Sequence, residues 1–196
     1  FATNLTFSVY WRFDCSMSEL GGLSMVIGAV LCRIVRQYGA VGAGLKWPND
    51  IVVDARKLAG VLVDIHGSAD GPVDAIIGVG LNVAMPATHA DAIDQPWVDL
   101  DSLVTGGVSR NRLAADLLVA VREALETYGR DGFEAFVDEW RSYDAFLGES
   151  VSLLMGQQRI HGTHAGIAPD GALLLERDGV IQRYHSGEVS LRKRAT

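Results

Sequence analysis

Ile76-Ile77-Gly78-Val79-Gly80-Leu81-Asn82-Val83 reads as a β-strand with two unlike faces. At a side-chain period of two, Ile77, Val79, Leu81 and Val83 point one way, while Gly78, Gly80 and Asn82 point the other. Glycine weakens a strand by roughly 0.5–1 kcal/mol relative to alanine, so two glycines on one face imply that something approaches the backbone there. A closely packed helix and a bound ligand both meet that demand, and Asn82 on the bare face favours the ligand.

Two segments upstream carry chemistry of a matching kind. In Lys57-Leu58-Ala59-Gly60-Val61-Leu62-Val63-Asp64 a lysine opens an otherwise apolar strand. A solvated strand end would explain it, but of the 17 basic residues only Lys46, Lys57 and Lys193 are lysines. A chain that otherwise uses arginine has reason to keep lysine where a compact ammonium on a flexible stem is needed. In Lys46-Trp47-Pro48-Asn49-Asp50-Ile51, residues 48–50 suit a turn, because proline fixes φ and Asn and Asp bond their own backbone. Lys46 and Trp47 are not turn residues, and with Asn49 and Asp50 they offer donors, acceptors, charge and a flat ring, as a nucleotide site requires.

Outward from this region the chain alternates strands and helices. Leu5, Phe7, Val9 and Trp11 mark one face of an N-terminal strand, and residues 20–38 have apolar positions at helical spacing, closed by Gly39. Residues 44–65 read as three strands joined by turns at 48–50 and 54–56, and residues 75–83 form the next strand. Residues 84–107 carry no clear pattern. A helix is expected from a Ser109 cap to Tyr128, with Gly129 after it, and another over residues 133–143. Beyond Leu147-Gly148, short apolar runs separated by Gly156, Pro169-Asp170-Gly171, Arg177-Asp178-Gly179 and Ser186-Gly187 suggest a small barrel. The expected architecture is α+β, with domains over residues 1–146 and 147–196.

Composition bounds the function. With 48% hydrophobic residues the 196-residue chain can build a core, and no uninterrupted apolar run approaches the ~20 residues of a membrane span. A net charge of −7 lacks the basic excess of an unaided nucleic-acid binder, so an anionic ligand must be held by local positive charge. Cys15 and Cys32 cannot make a disulfide framework, which favours a reducing cytoplasm. His161 and His164, three apart in a strand-like segment, face opposite sides and make a poor metal pair; His66, His89 and His185 show no partners, and no metal site is expected.

Taken together, Lys46-Trp47-Pro48-Asn49-Asp50, Lys57-Leu58-Ala59-Gly60-Val61-Leu62 and Gly78-Val79-Gly80-Leu81-Asn82-Val83 closely resemble the biotin protein ligase family. Residues 4–12 and the tail segments 171–176 and 187–192 extend the resemblance over nearly the whole chain. It implies a mixed sheet akin to class II aminoacyl-tRNA synthetases followed by an SH3-like barrel. The implied activity is a two-step acyl transfer. Biotin and ATP, with Mg²⁺ as the nucleotide's companion, form biotinyl-5′-AMP, and a lysine of a biotin carboxyl carrier protein then takes the biotinyl group. By the same resemblance Lys57 and Asp50 are catalytic: Lys57 lies against the biotin carboxylate and α-phosphate, and Asp50 orients the acceptor amine. Lys46, Trp47, Asn49, Gly60, Val61, Gly78, Gly80 and Asn82 bind substrate or nucleotide, with Glu188 and Arg192 as lesser contributors.

The resemblance also sets limits. The family's glycine- and arginine-rich biotin-binding loop has no match here and should precede Phe1, so residues 1–196 alone are expected not to make the adenylate and to leave a sheet edge exposed. Family members commonly pair through sheet edges, which makes a homodimer an expected partner state; no membrane contact and no nucleic-acid binding by this segment are expected. A lipoate or octanoate ligase and a non-catalytic adenylate-binding domain are the alternatives.

Overall fold

The computed structural model describes residues 4–68, 71–86 and 95–185 and the backbone of 189–193. Ser186-Gly187, Glu188 and His89, and the side chain of Arg192, lie outside the described residues.

Strand β1 (Leu5–Phe13) alternates half-buried and exposed positions as its pattern requires. A short 3-10 turn (Met17–Leu20) leads into α1 (Leu23–Gln37), which is followed by β2 (Gly44–Lys46), β3 (Asp50–Val53), β4 (Arg56–Gly67) and β5 (Val73–Leu81). Asp54 and Ala55 take φ of 50° and 60°, the mirror-image turn that matches the twist of a two-residue hairpin. The first sheet has the order β1-β5-β4-β3-β2. The expected mixed sheet is corrected in one respect: every strand pairing within it is antiparallel, and the parallel pairings among the described residues are isolated bridges, Leu45 with Asp144 and Lys57 with Trp97. Strand β1 forms one edge of this sheet as described, and β2 the other.

Helix α1 packs on the apolar face of the sheet, burying Val26, Ile27, Val30, Leu31, Ile34 and Val35. Each such side chain contributes about 1.5–3 kcal/mol of transfer free energy. The span Met17–Gln37 is long and apolar enough by length and composition to cross a membrane, although Glu19, Arg33 and Arg36 keep it from being an uninterrupted apolar run. Two-thirds of it is buried inside the fold, where its larger part is α1, the core helix. Cys32 lies on this helix, and burial pushes its thiol up to about 12. Cys15 is also raised, by partial burial and then by Glu19 and Asp14. In the native protein at pH 8 a thiol reagent should therefore react with Cys15 alone, and slowly, whereas both thiols should react in denaturant. Prompt native reaction of Cys32 would contradict this packing.

Helices α2 (Arg110–Asp131) and α3 (Glu134–Ser142) complete the layer over α1. Two expectations about α2 are corrected. Ser109 occupies the cap position but makes no side-chain cap bond, and the helix runs through Gly129 to Gly132, whose amide donates to the Tyr128 carbonyl. A glycine inside a helix costs about 1 kcal/mol against alanine, which packing overrides here: Tyr128 is buried against Phe13, and its hydroxyl donates to the carbonyls of Glu19 and Gly21.

Strands β6 (Ser150–Met155), β7 (Gln158–Ile167), β8 (Leu173–Arg177), β9 (Val180–Tyr184) and β10 (Val189–Lys193) form a second antiparallel sheet in the order β10-β6-β7-β8-β9, a small barrel-like unit. A register shift between His164 and Ile167 marks the bend in β7. His161 and His164 do face opposite sides. His161 bonds Ser152 at 2.8 Å, and fully buried His164 holds the equally enclosed Asp144 at 2.8 Å, a pairing the sequence did not disclose. His66, expected to stand alone, pairs with Asp64 at 3.0 Å.

Candidate active site

Antiparallel register builds the site directly. Thr6 on β1 lies opposite Gly80 on β5, Gly80 opposite Gly60 on β4, Gly60 opposite Asp50 on β3, and Asp50 opposite Lys46 on β2. Directly opposed residues share a face, so this row has polar side chains at both ends and two bare positions between. At the usual strand spacing the gap from Thr6 to Asp50 is ~14 Å. Over this floor lies a cavity of about 680 Å³, lined by Gly60, Gly78, Gly80, Asn82 and Lys57 together with Thr6, Ser8, Gln95 and Trp97. A methyl group on Gly80 would meet no atom of the chain within 4 Å, and one on Gly78 would make only ordinary contacts. The space these glycines leave is cavity rather than a helix packed on the sheet, which decides the choice left open by strand parity.

Behind Lys57, at one end of the slot, Asp50 accepts from two lysines; Asp50 and Lys46 themselves do not line the cavity. Lys57 Nζ lies 2.6 Å from Oδ1 and Lys46 Nζ 2.9 Å from Oδ2. Asp50 and Lys46 are largely enclosed, whereas the Lys57 side chain keeps 31% of its surface exposed. Two ammonium groups on one carboxylate leave a surplus positive charge, and Lys57 is the one charged residue among the described residues lining the cavity. Gly60 is needed for this arrangement, since a Cβ there would lie 3.0 Å from Lys57 Nζ and 3.2 Å from Asp50 Oδ1. The site can therefore hold an anion against a neutral wall of glycine, hydroxyl and amide groups, with an ammonium at the reacting end.

Asn49 and Asn82 border the cavity, yet their amide N–H groups hold backbone. Asn49 Nδ2 donates to the Val61 carbonyl at 2.8 Å, and Asn82 Nδ2 donates to the carbonyls of Lys57 and Val98 at 3.2 Å each. Asn82 stands just past the end of β5 and ties the Lys57 strand to the segment after it. Val61 borders the cavity but is 2% exposed, its side chain belonging to the core. Trp47 is not brought to the cavity. Its ring is fully buried, its indole N–H donates to the Gly171 carbonyl at 2.9 Å, and its bond to Pro48 is cis.

Thr6, Ser8, Gln95 and Trp97 were not singled out in the sequence. Thr6 and Ser8 had a signal, as the polar side of an alternating strand, but nothing local places β1 beside β5. Trp97 had only the oddity of a tryptophan in an unpatterned polar stretch. Its bridge to Lys57, with Lys57 N–H donating to the Pro96 carbonyl and Val98 N–H to the Lys57 carbonyl, sets it at the cavity mouth. Among the described residues no group of three or more His, Cys, Asp or Glu is arranged to hold a metal ion.

Comparison with known proteins agrees with this geometry. The profile of the Biotin/lipoate A/B protein ligase family matches residues 2–82, and that of the Biotin protein ligase C terminal domain matches residues 146–192. The bifunctional ligase/repressor BirA of Salmonella typhimurium is 40% identical over 194 residues, covering 98% of this chain and 60% of that protein. The biotin--[acetyl-CoA-carboxylase] ligase of Mycobacterium tuberculosis is 30% identical over 183 residues, covering 90% of this chain and 64% of that protein. Biotin protein ligase from Aquifex aeolicus in complex with biotin and ATP superimposes with a TM-score of 0.77 at 27% identity, over 95% of this chain and 79% of that one. The chain thus spans about 60% of the length of the BirA relatives it matches.

Proposed function

The chain belongs to the biotin protein ligase family, and on that basis we propose that the protein it comes from activates biotin with ATP and passes the biotinyl group to a carrier-protein lysine. The observation that carries the reading is the placement of Lys57: one ammonium at the edge of a cavity whose other described lining residues are uncharged and whose floor is bare glycine. In the first step a carboxylate oxygen of biotin attacks the α-phosphorus of ATP, and pyrophosphate leaves. In the second, the acceptor amine attacks the acyl carbon, and AMP leaves with the bonding pair. Both steps build negative charge near the carboxyl and α-phosphate oxygens, where a preorganised ammonium is worth most. Lys57 supplies that charge, with Asp50 as its anchor. Lys46 holds the other oxygen of Asp50, and the slot over Gly60, Gly78 and Gly80 takes the biotin rings. Asn49 and Asn82 stiffen the walls.

The acceptor in this reading is a biotin carboxyl carrier protein of acetyl-CoA carboxylase. ATP and biotin are substrates, with Mg²⁺ arriving on the nucleotide. The division into a catalytic unit over residues 1–146 and a C-terminal unit over 147–196 follows the same reading, as do a cytoplasmic setting, pairing of two copies through a sheet edge and the lack of nucleic-acid contact by this segment.

The test is biotin-dependent exchange of labelled pyrophosphate into ATP by the full-length natural protein, with octanoate as the control acid. Exchange with biotin alone supports the reading, exchange with octanoate alone favours a lipoate or octanoate ligase, and exchange with neither favours an adenylate-binding domain. Gly80→Ala refines it. A methyl group there fills the slot without touching the chain. The thermal midpoint should hold or rise by about 1–4 °C, since alanine suits a strand better than glycine, while biotin affinity falls roughly tenfold to a hundredfold, the effect of about 1–3 kcal/mol of overpacking. Unaltered biotin affinity by calorimetry would place biotin elsewhere.

A further inference from the structure

The segment that carries Lys46 and Asp50 is tied to the C-terminal sheet by one buried hydrogen bond, from the Trp47 indole N–H to the Gly171 carbonyl. Gly171 lies in the turn between β7 and β8, 124 residues further along the chain. This turn is itself well held. The Gly171 amide donates to the Ala168 carbonyl, the Ala168 amide donates to the Ala172 carbonyl, and the Ala172 amide donates to Asp170 Oδ1. Asp170 in turn accepts from Arg183 at 2.6 Å. The turn also seats against the first unit, since a Cβ on Gly171 would lie 3.2 Å from Met25 Sδ and 3.3 Å from the Phe133 ring.

Trp47 stands between Lys46, whose ammonium meets Asp50, and the Asn49–Asp50 pair, whose backbone and side chains pair with Val61, Gly60 and Lys57. Neither Trp47 nor Gly171 lines the cavity. A side chain that touches no substrate space, yet is fixed at its far end by another sheet, holds what lies on either side of it in the chain.

We propose that Trp47 is a positioning residue, through which the docked β7–β8 turn fixes the Lys46–Asp50–Lys57 cluster. Through this bond the C-terminal sheet acts on the reaction from outside the cavity, since neither Trp47 nor Gly171 lines it. The inference rests on the functional reading above for its kinetic consequence, but not for its structural one.

The experiment perturbs the bond from both ends in the full-length protein. Trp47→Phe keeps an apolar ring in the core and removes the donor. Gly171→Ala adds a methyl group at φ +82° against Met25 and Phe133, and so shifts the acceptor. Hydrogen–deuterium exchange should quicken at residues 46–50 in both variants, while the amides shared by β1 and β5 keep wild-type rates. Pyrophosphate exchange should show kcat reduced about five- to tenfold, the equivalent of one lost hydrogen bond, with the KM for biotin within about twofold. The double variant should be no slower than the slower single one. A lower melting temperature with wild-type kcat and unchanged deuterium exchange at residues 46–50 would overturn the proposal and leave Trp47 as core packing, as would fully additive kinetic effects. If the wild type catalyses no exchange, the functional reading fails instead, and the deuterium pattern at residues 46–50 still decides whether Trp47 holds the cluster.

Discussion

Lys57→Ala should lower biotin-dependent pyrophosphate exchange by about 10²–10³, the usual cost of removing one preorganised donor from developing negative charge. Among the described residues that line the cavity, Lys57 is the single charged side chain. The fold should survive, because Asp50 keeps Lys46 at 2.9 Å and the Lys57 side chain is partly exposed. Lys57→Arg should recover little. The guanidinium is broad and planar, and the bare Gly60 position leaves room only for a narrow stem, with Lys57 Cε already 3.0 Å from where a Cβ would sit. Steady-state exchange at saturating biotin and ATP measures this directly. An alanine variant within a few-fold of wild type would remove Lys57 from the chemistry.

Asp50→Ala carries the second large effect, and here stability falls together with rate. Removing the carboxylate leaves Lys46 and Lys57 as neighbouring like charges, Lys46 with only 13% of its side chain exposed. Breaking a buried pair by deleting one partner typically costs 3–5 kcal/mol; because Lys57 reaches solvent, a loss near the low end is expected, about 3 kcal/mol. For a chain of this size that lowers the melting temperature by roughly 6–12 °C. Asp50→Asn keeps an acceptor of the same shape and should lie between the two. Thermal denaturation and exchange kinetics on the same preparations separate the contributions. A melting temperature within about 2 °C of wild type would mean that the two ammonium groups are solvated on their own and that Asp50 does not hold them.

Local pattern made a good part of the site legible. The alternation over residues 76–83 separated a core face from a bare face, and the face assignments survive in the burial of Ile77, Val79 and Leu81 against half-open Gly78 and Gly80. The rarity of lysine drew attention to Lys46 and Lys57, which meet on one carboxylate. Other readings failed where a local signal was outweighed. Gly129 looks like a helix stop until the buried Tyr128 and its two carbonyl partners carry the helix past it. Trp47 looks like a nucleotide-stacking ring because it sits among polar residues, but its destination is the Gly171 carbonyl.

By itself the sequence determined which residues share a strand face, where strands and helices alternate, and which cations are unusual, because these follow from side-chain period and backbone preference within a few residues. Tertiary structure alone decided that β5 lies between β1 and β4, which puts Thr6 and Ser8 beside the bare glycines. It also decided that the asparagine amides hold backbone rather than reach into the cavity, that Asp144 meets His164 in the interior, and that Trp47 answers to the C-terminal sheet. The reason is physical: period two fixes which way a side chain points, but what it meets there depends on a neighbour brought in from far along the chain.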